Sequence, residues 1–110
     1  MTRDPGVYIE DILESAGLIE EYLENVSKNE FLSKIGVQDK VIRRLEIIGE
    51  AVKNIPEEIT DEYPDIPWKD IAGMRDMLAH EYFGIDMERV WKVASDDLPE
   101  LQEKLDDWKE

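Results

Sequence analysis

Arg75, His80 and Tyr82 fall within one short stretch, M-R-D-M-L-A-H-E-Y-F-G (Met74–Gly84), and His80 is the single histidine of the chain. An arginine stays cationic at any cellular pH, and its planar fork matches paired anionic oxygens. An imidazole, with an ordinary pKa near 6.5, can take or give a proton in the same range. A tyrosine adds a phenolic hydroxyl two positions further on. The pattern Arg-x4-His-x-Tyr therefore offers anion binding and acid–base chemistry within about two helical turns. Other chemistries lack their parts. One histidine with scattered acids makes a poor zinc site, and there is no cysteine to complete it. Neither a glycine-rich phosphate loop nor a G-x-S-x-G elbow occurs. No metal and no cofactor is expected.

The elements that must position these residues are helical. Ile12, Ala16, Ile19, Leu23 and Val26 recur at alternating spacings of four and three, as do Val41, Leu45, Ile48, Val52 and Ile55. A last stripe runs Val90, Ala94, Leu98, Leu101, Leu105, Trp108. These are the apolar faces of bundle helices. Between the second stripe and the motif, residues 55–67 hold prolines at 56, 64 and 67 and read as a connector with room for one short turn of helix. Pro67 is placed to start the motif helix at Trp68, Gly84 to end it, and Asp86 to cap the last helix. Pro99 lies inside the final stripe and predicts a kink or break near Leu98. The expected architecture is one all-α domain over residues 1–110, an up-and-down bundle of four main helices plus short helical pieces.

Composition narrows the setting. The 110 residues carry a net charge of −15, with 37% charged and 42% hydrophobic residues, so a globular chain with a heavily charged surface is expected. No apolar run approaches the roughly 20 residues of a membrane span, and no leader pattern opens the chain; a soluble, cytoplasmic protein is expected. So acidic a body argues against indiscriminate binding of nucleic acid. The charge is uneven, however. Residues 1–30 hold eight acids and two bases and residues 94–110 seven and two, whereas residues 31–55, with Lys34, Lys40, Arg43, Arg44 and Lys53, have a local net of +2. Screening over a Debye length of roughly 8 Å lets such a local cationic site work on an acidic body.

A helical wheel divides the motif. With Arg75 at zero and 100° per residue, Trp68, Ile71, Ala72, Leu78, Ala79 and Tyr82 fall within about 60° of it. Arg75 is thus expected in the middle of the core-facing stripe, where burial alone is prohibitive and Glu46 and Glu50 of the second helix are its natural partners. A plain core ion pair accounts for it equally well. His80 falls at about 140°, beside Gly73 and Met77, on the far side of the helix. Gly73 suggests close approach of another backbone there, and so a homodimer with His80 at its seam. An ordinary surface histidine is the plainer alternative.

Two blocks carry a family resemblance: R-R-L-E-I-I-G-E-A (Arg43–Ala51), and W-K-D-I-A-G-M-R-D-M-L-A-H-E-Y-F-G-I-D (Trp68–Asp86) with the whole motif inside it. A late V-W…D-L-P-E-L segment (Val90–Leu101) adds to it. The chain resembles the HEPN superfamily, specifically HepT-type ribonuclease toxins, over nearly its whole length. The resemblance implies a dimeric HEPN-like fold and a metal-independent endoribonuclease whose two subunits line one cleft. It implies Arg75 and His80 as the catalytic pair, and Tyr82 as the tyrosine AMPylated by an MntA-type nucleotidyltransferase antitoxin in a toxin–antitoxin system. On that footing the imidazoles of two subunits act as base and acid in 2′-OH attack, and Arg75 stabilises the phosphorane. Glu46 and Glu50 orient Arg75, and Arg43 or Arg44 holds flanking RNA backbone. The competing expectation is a non-catalytic helical dimer that binds a nucleotide or a nucleotidyltransferase partner, which the acidic surface favours.

Overall fold

The structure, a computed structural model, describes residues 4–80 and 84–109. Helix α1 (Pro5–Tyr22) opens with Pro5 in its first turn and the Asp4 carboxylate accepting the Gly6 N–H at 2.8 Å. Its inward residues Ile9, Ile12, Ala16 and Ile19 are buried, while Leu23 and Val26 lie past its end and are only half-buried. The chain then turns through Asn25, whose φ of 61° is left-handed, a conformation asparagine tolerates better than most residues. A reciprocal capping box starts α2 (Lys28–Ser33): Ser27 Oγ accepts from the Glu30 N–H, and the Glu30 carboxylate accepts from the Ser27 N–H, both at 3.1 Å. The buried Gln38 side chain of α3 (Ile35–Lys53) donates to the Phe31 carbonyl at 2.9 Å and ties the short helix down.

Helix α3 is the spine of the fold and packs against both α1 and α5 (Trp68–His80), and all five residues of its predicted stripe are buried. The connector forms one short helix, α4 (Glu57–Thr60), and drops Ile55, Ile59 and Ile66 into the core. Helix α5 begins at Trp68 as the sequence predicts, but Pro67 caps it through its carbonyl, accepting the Ile71 N–H at 3.1 Å, instead of occupying the first turn. The predicted end at Gly84 lies beyond residues outside the described ones.

The last stripe is one rod in four pieces: α6 (Met87–Lys92), a π-helical turn (Val93–Asp97), α7 (Leu98–Leu105) and a closing 3₁₀ turn (Asp106–Lys109) that holds the half-buried Trp108. Asp86 caps α6 by accepting from the Glu88 and Arg89 N–H groups at 3.0 and 3.3 Å. Pro99 does not break the rod. It cannot donate to the Ser95 carbonyl one turn back, and the turn widens so that Leu98 N–H reaches Val93 instead. Val90, Ala94, Leu98, Leu101 and Leu105 are spaced four, four, three and four apart, yet all five are buried, because the wider turn absorbs the excess. Helix α7 packs on α1, which completes an all-α bundle. Among the described residues no helix is long and apolar enough to cross a membrane, and no buried side-chain nitrogen or oxygen lacks a hydrogen-bond partner.

Candidate functional site

Arg75 marks a point of very close approach between α3 and α5. Gly49 is buried opposite it: a Cβ there would overlap the Arg75 Cβ and stand 3.0 Å from its Cγ and 3.3 Å from its Cα. Glycine lets the two helices meet at this depth. Next along α3, the Glu50 carboxylate lies 3.2 Å from Arg75 Nε. On the other side Arg75 Nη1 is 3.4 Å from Asp76 Oδ1, and that same oxygen accepts from Lys53 Nζ. The hydrogen bond from Lys53, helped by the charges of Lys53 and Arg75, holds the Asp76 carboxyl below its ordinary range.

This arrangement corrects the wheel. The buried residues of α5 are Ile71, Met74 and Leu78, so the stripe is centred about 70° away from Arg75, which sits on its flank. Its side chain is 33% exposed and opens onto a groove. Packing at Gly49 brings its stem close to α3 while the charged head stays at the surface, so the arginine needs no fully buried counter-ion.

The groove, of about 360 Å³, lies against α3 and is lined by Tyr8 and Asp11 of α1, by Arg43, Glu46, Ile47, Glu50 and Ala51 of α3, by Asn54, and by Arg75. Residues 43, 46 and 50 share one side of α3, and this sets Arg43 and Arg75 along the same groove. Of the two predicted partners, Glu50 makes the ion pair and Glu46 lines the groove. Arg44 is half-buried and is not part of the lining. Two guanidinium groups therefore face three carboxylates, and the groove carries no excess of positive charge.

His80 is exposed at the last described position of α5 and is not among the groove's lining residues. Five residues of regular helix turn it about 140° from Arg75, so the two do not converge within one chain. Met77, on the same outer side, is touched by Arg89 Nη1 at 3.9 Å from its sulfur. The expected close approach at Gly73 is not made among the described residues: none of them lies within 4 Å of where its Cβ would be, the helix's own backbone aside. Tyr82 lies outside the described residues. Among the described residues no cluster of three or more His, Asp or Glu could hold a metal ion.

The residue that sequence reasoning missed is Gly49. Its signal was present, a glycine in mid-helix on the buried side of α3, one residue before Glu50. Gly73 drew the attention instead because it sits on the motif helix itself.

Comparison with known proteins matches this sequence to a family. The Ribonuclease HepT-like profile matches residues 12–107. A Methanocaldococcus jannaschii protein, named as a gamma-glutamylcyclotransferase and candidate RNase, is 47% identical over 105 residues, covering 96% of this chain. The chain spans only 47% of that relative's length. A Thermococcus cleftensis protein, named as a candidate ribonuclease HepT, is 45% identical over 106 residues, 96% of both chains. A candidate RNase of Caldanaerobacter subterraneus is 39% identical over 103 residues, 94% of this chain and 92% of its own. No solved structure matches the chain.

Proposed function

Because the chain belongs to the ribonuclease HepT-like family, we propose that it is a metal-independent endoribonuclease that acts as a homodimer. One observation carries this reading. A half-buried arginine is held in place by Glu50 and by the close packing at Gly49, while the single histidine stands exposed on the opposite side of the same helix. Each chain presents half of a site, and a second copy supplies the other half.

In the proposed reaction the ribose 2′-oxygen attacks the phosphorus, one imidazole takes the 2′-proton, and the bond to the 5′-oxygen breaks. The second subunit's imidazole protonates that leaving oxygen. The products are a 2′,3′-cyclic phosphate and a 5′-hydroxyl. The Arg75 guanidinium stabilises the charge that grows on the phosphorane oxygens. Arg43, in the same groove, holds the flanking backbone.

The same reading makes the chain the toxin of a toxin–antitoxin pair, silenced when an MntA-type nucleotidyltransferase adds AMP to Tyr82. A bulky anion two residues from His80 would obstruct the cleft and repel phosphate. The acidic body favours the competing reading, a non-catalytic dimer that binds a basic protein partner.

Expression of wild type, Arg75→Ala and His80→Ala without any partner separates the two. Wild type should arrest growth and cleave RNA in the presence of EDTA, and both variants should lose at least about 100-fold in cleavage rate. Undiminished cleavage by His80→Ala would remove the catalytic assignment. Loss of wild-type cleavage in EDTA with rescue by Mg²⁺ would remove the metal-independent one.

A further inference from the structure

We propose that Gly49 is a positioning residue for the cleavage reaction: by giving up its side chain it sets the depth at which Arg75 stands against α3. The inference rests on the reading of Arg75 as a catalytic group, and goes beyond it by naming what fixes that group in place.

The contact is unusual in its target. Of the six glycines, Gly49 is the one whose added Cβ would meet another residue's Cα, Cβ and Cγ together, and that residue is Arg75. Gly17, Gly36 and Gly73 could take a methyl with ordinary contact or none. The overlap at Gly49 falls on the root of the arginine, two of whose three contacting atoms are too close to the backbone to swing aside. A methyl at Gly49 must therefore push α5 away from α3 at this point. The neighbouring partners, Glu50 and Lys53, lie on α3 and would stay behind while Arg75 and Asp76 moved with α5.

Reactions that depend on a pre-placed charge are sensitive to such shifts. A misplacement of about 1 Å can cost about 100-fold in rate. Gly49 touches no substrate in this scheme and acts only through Arg75, so its removal should lower kcat and leave KM nearly alone.

The test compares Gly49→Ala with Leu78→Ala, which deletes buried packing on the same helix without adding volume against Arg75. Thermal melts and circular dichroism establish how much each variant is destabilised, and RNA cleavage is measured where both are folded. Gly49→Ala should lose about 100-fold in kcat with KM changed less than about 3-fold, and Leu78→Ala should lose less than about 5-fold. Gly49→Ala should also add no further loss on an Arg75→Ala background. If Gly49→Ala does not fold in buffer, both variants are assayed with trimethylamine N-oxide at a concentration that restores the wild-type spectrum.

A folded Gly49→Ala that cleaves like Leu78→Ala overturns the proposal. So does a Gly49→Ala that stays unfolded under those conditions, since the contact is then purely structural. Wild type and Arg75→Ala run alongside distinguish the two levels of failure. If Arg75→Ala cleaves as wild type, the ribonuclease reading of Arg75 is at fault. If Arg75→Ala is inactive while folded Gly49→Ala is active, only the role of Gly49 fails.

Discussion

Lys53 and Asp76 join α3 to α5 through an ion pair whose carboxylate oxygen also faces the Arg75 guanidinium. Asp76 is half exposed and the pair sits at the rim of the helix contact, so its worth to folding is small. Its effect on the arginine is more specific. Lys53→Met should leave the urea unfolding midpoint close to that of wild type. It should also lower RNA cleavage, because Asp76 is then free to draw Arg75 from Glu50. Unchanged cleavage would show that Glu50 alone fixes the guanidinium.

Acid should weaken the fold through two carboxyls. Asp76 is held below its ordinary range by Lys53 foremost, and Glu30 by the backbone and hydroxyl of Ser27, then by Lys34. Both are depressed in the folded chain, so their stabilising contribution is complete above the unfolded values of about 4 and is lost as pH falls through the lower folded values. Urea midpoints taken from pH 6 to pH 3 should fall, and Glu30→Gln with Asp76→Asn should flatten that decline. An identical decline in the double variant would place the acid sensitivity elsewhere.

A substitution in the spine measures the core. Ile48 is fully buried on α3, and Ile48→Ala should cost about 2–5 kcal/mol by urea unfolding, from lost burial plus the cavity left behind. A cost below about 1 kcal/mol would mean that α1 and α5 close over the space.

Mixed dimers test the division of the site between subunits. Wild type co-refolded with a ninefold excess of His80→Ala should lose about tenfold in cleavage, because nearly every wild-type chain then pairs with one that lacks the second imidazole. Cleavage undiminished by the excess, in samples shown by labelling to exchange subunits, would place base and acid in one chain's site.

Periodicity carried most of the fold because burial on a helix repeats every 3.6 residues, and three stripes named the buried faces of α1, α3 and the final rod. The candidate site was legible through the two blocks that carry the family resemblance and not by residue type, since by type alone Arg75 reads equally as a core ion pair and His80 as a surface histidine. Its geometry was not. The wheel placed Arg75 at the centre of the buried face because it weighted Trp68, Ala72 and Ala79 equally with Ile71, whereas all three are only half-buried and the buried set is Ile71, Met74 and Leu78, with Leu78 nearest its centre. A helical wheel registers side chains that fill space, and the decisive feature at Arg75 is the space that Gly49 leaves open.

The π turn at Val93–Asp97 carries a different consequence. The final rod holds one residue more than a regular helix of the same span requires, and the surplus is confined to a single turn next to Pro99. Deleting Ser95 together with Pro99→Ala would return that turn to ordinary helix and leave the stretches before and after it in phase with the core. A chain one residue shorter would therefore build the same bundle, and homologues that align with a one-residue gap at this turn need not differ in architecture.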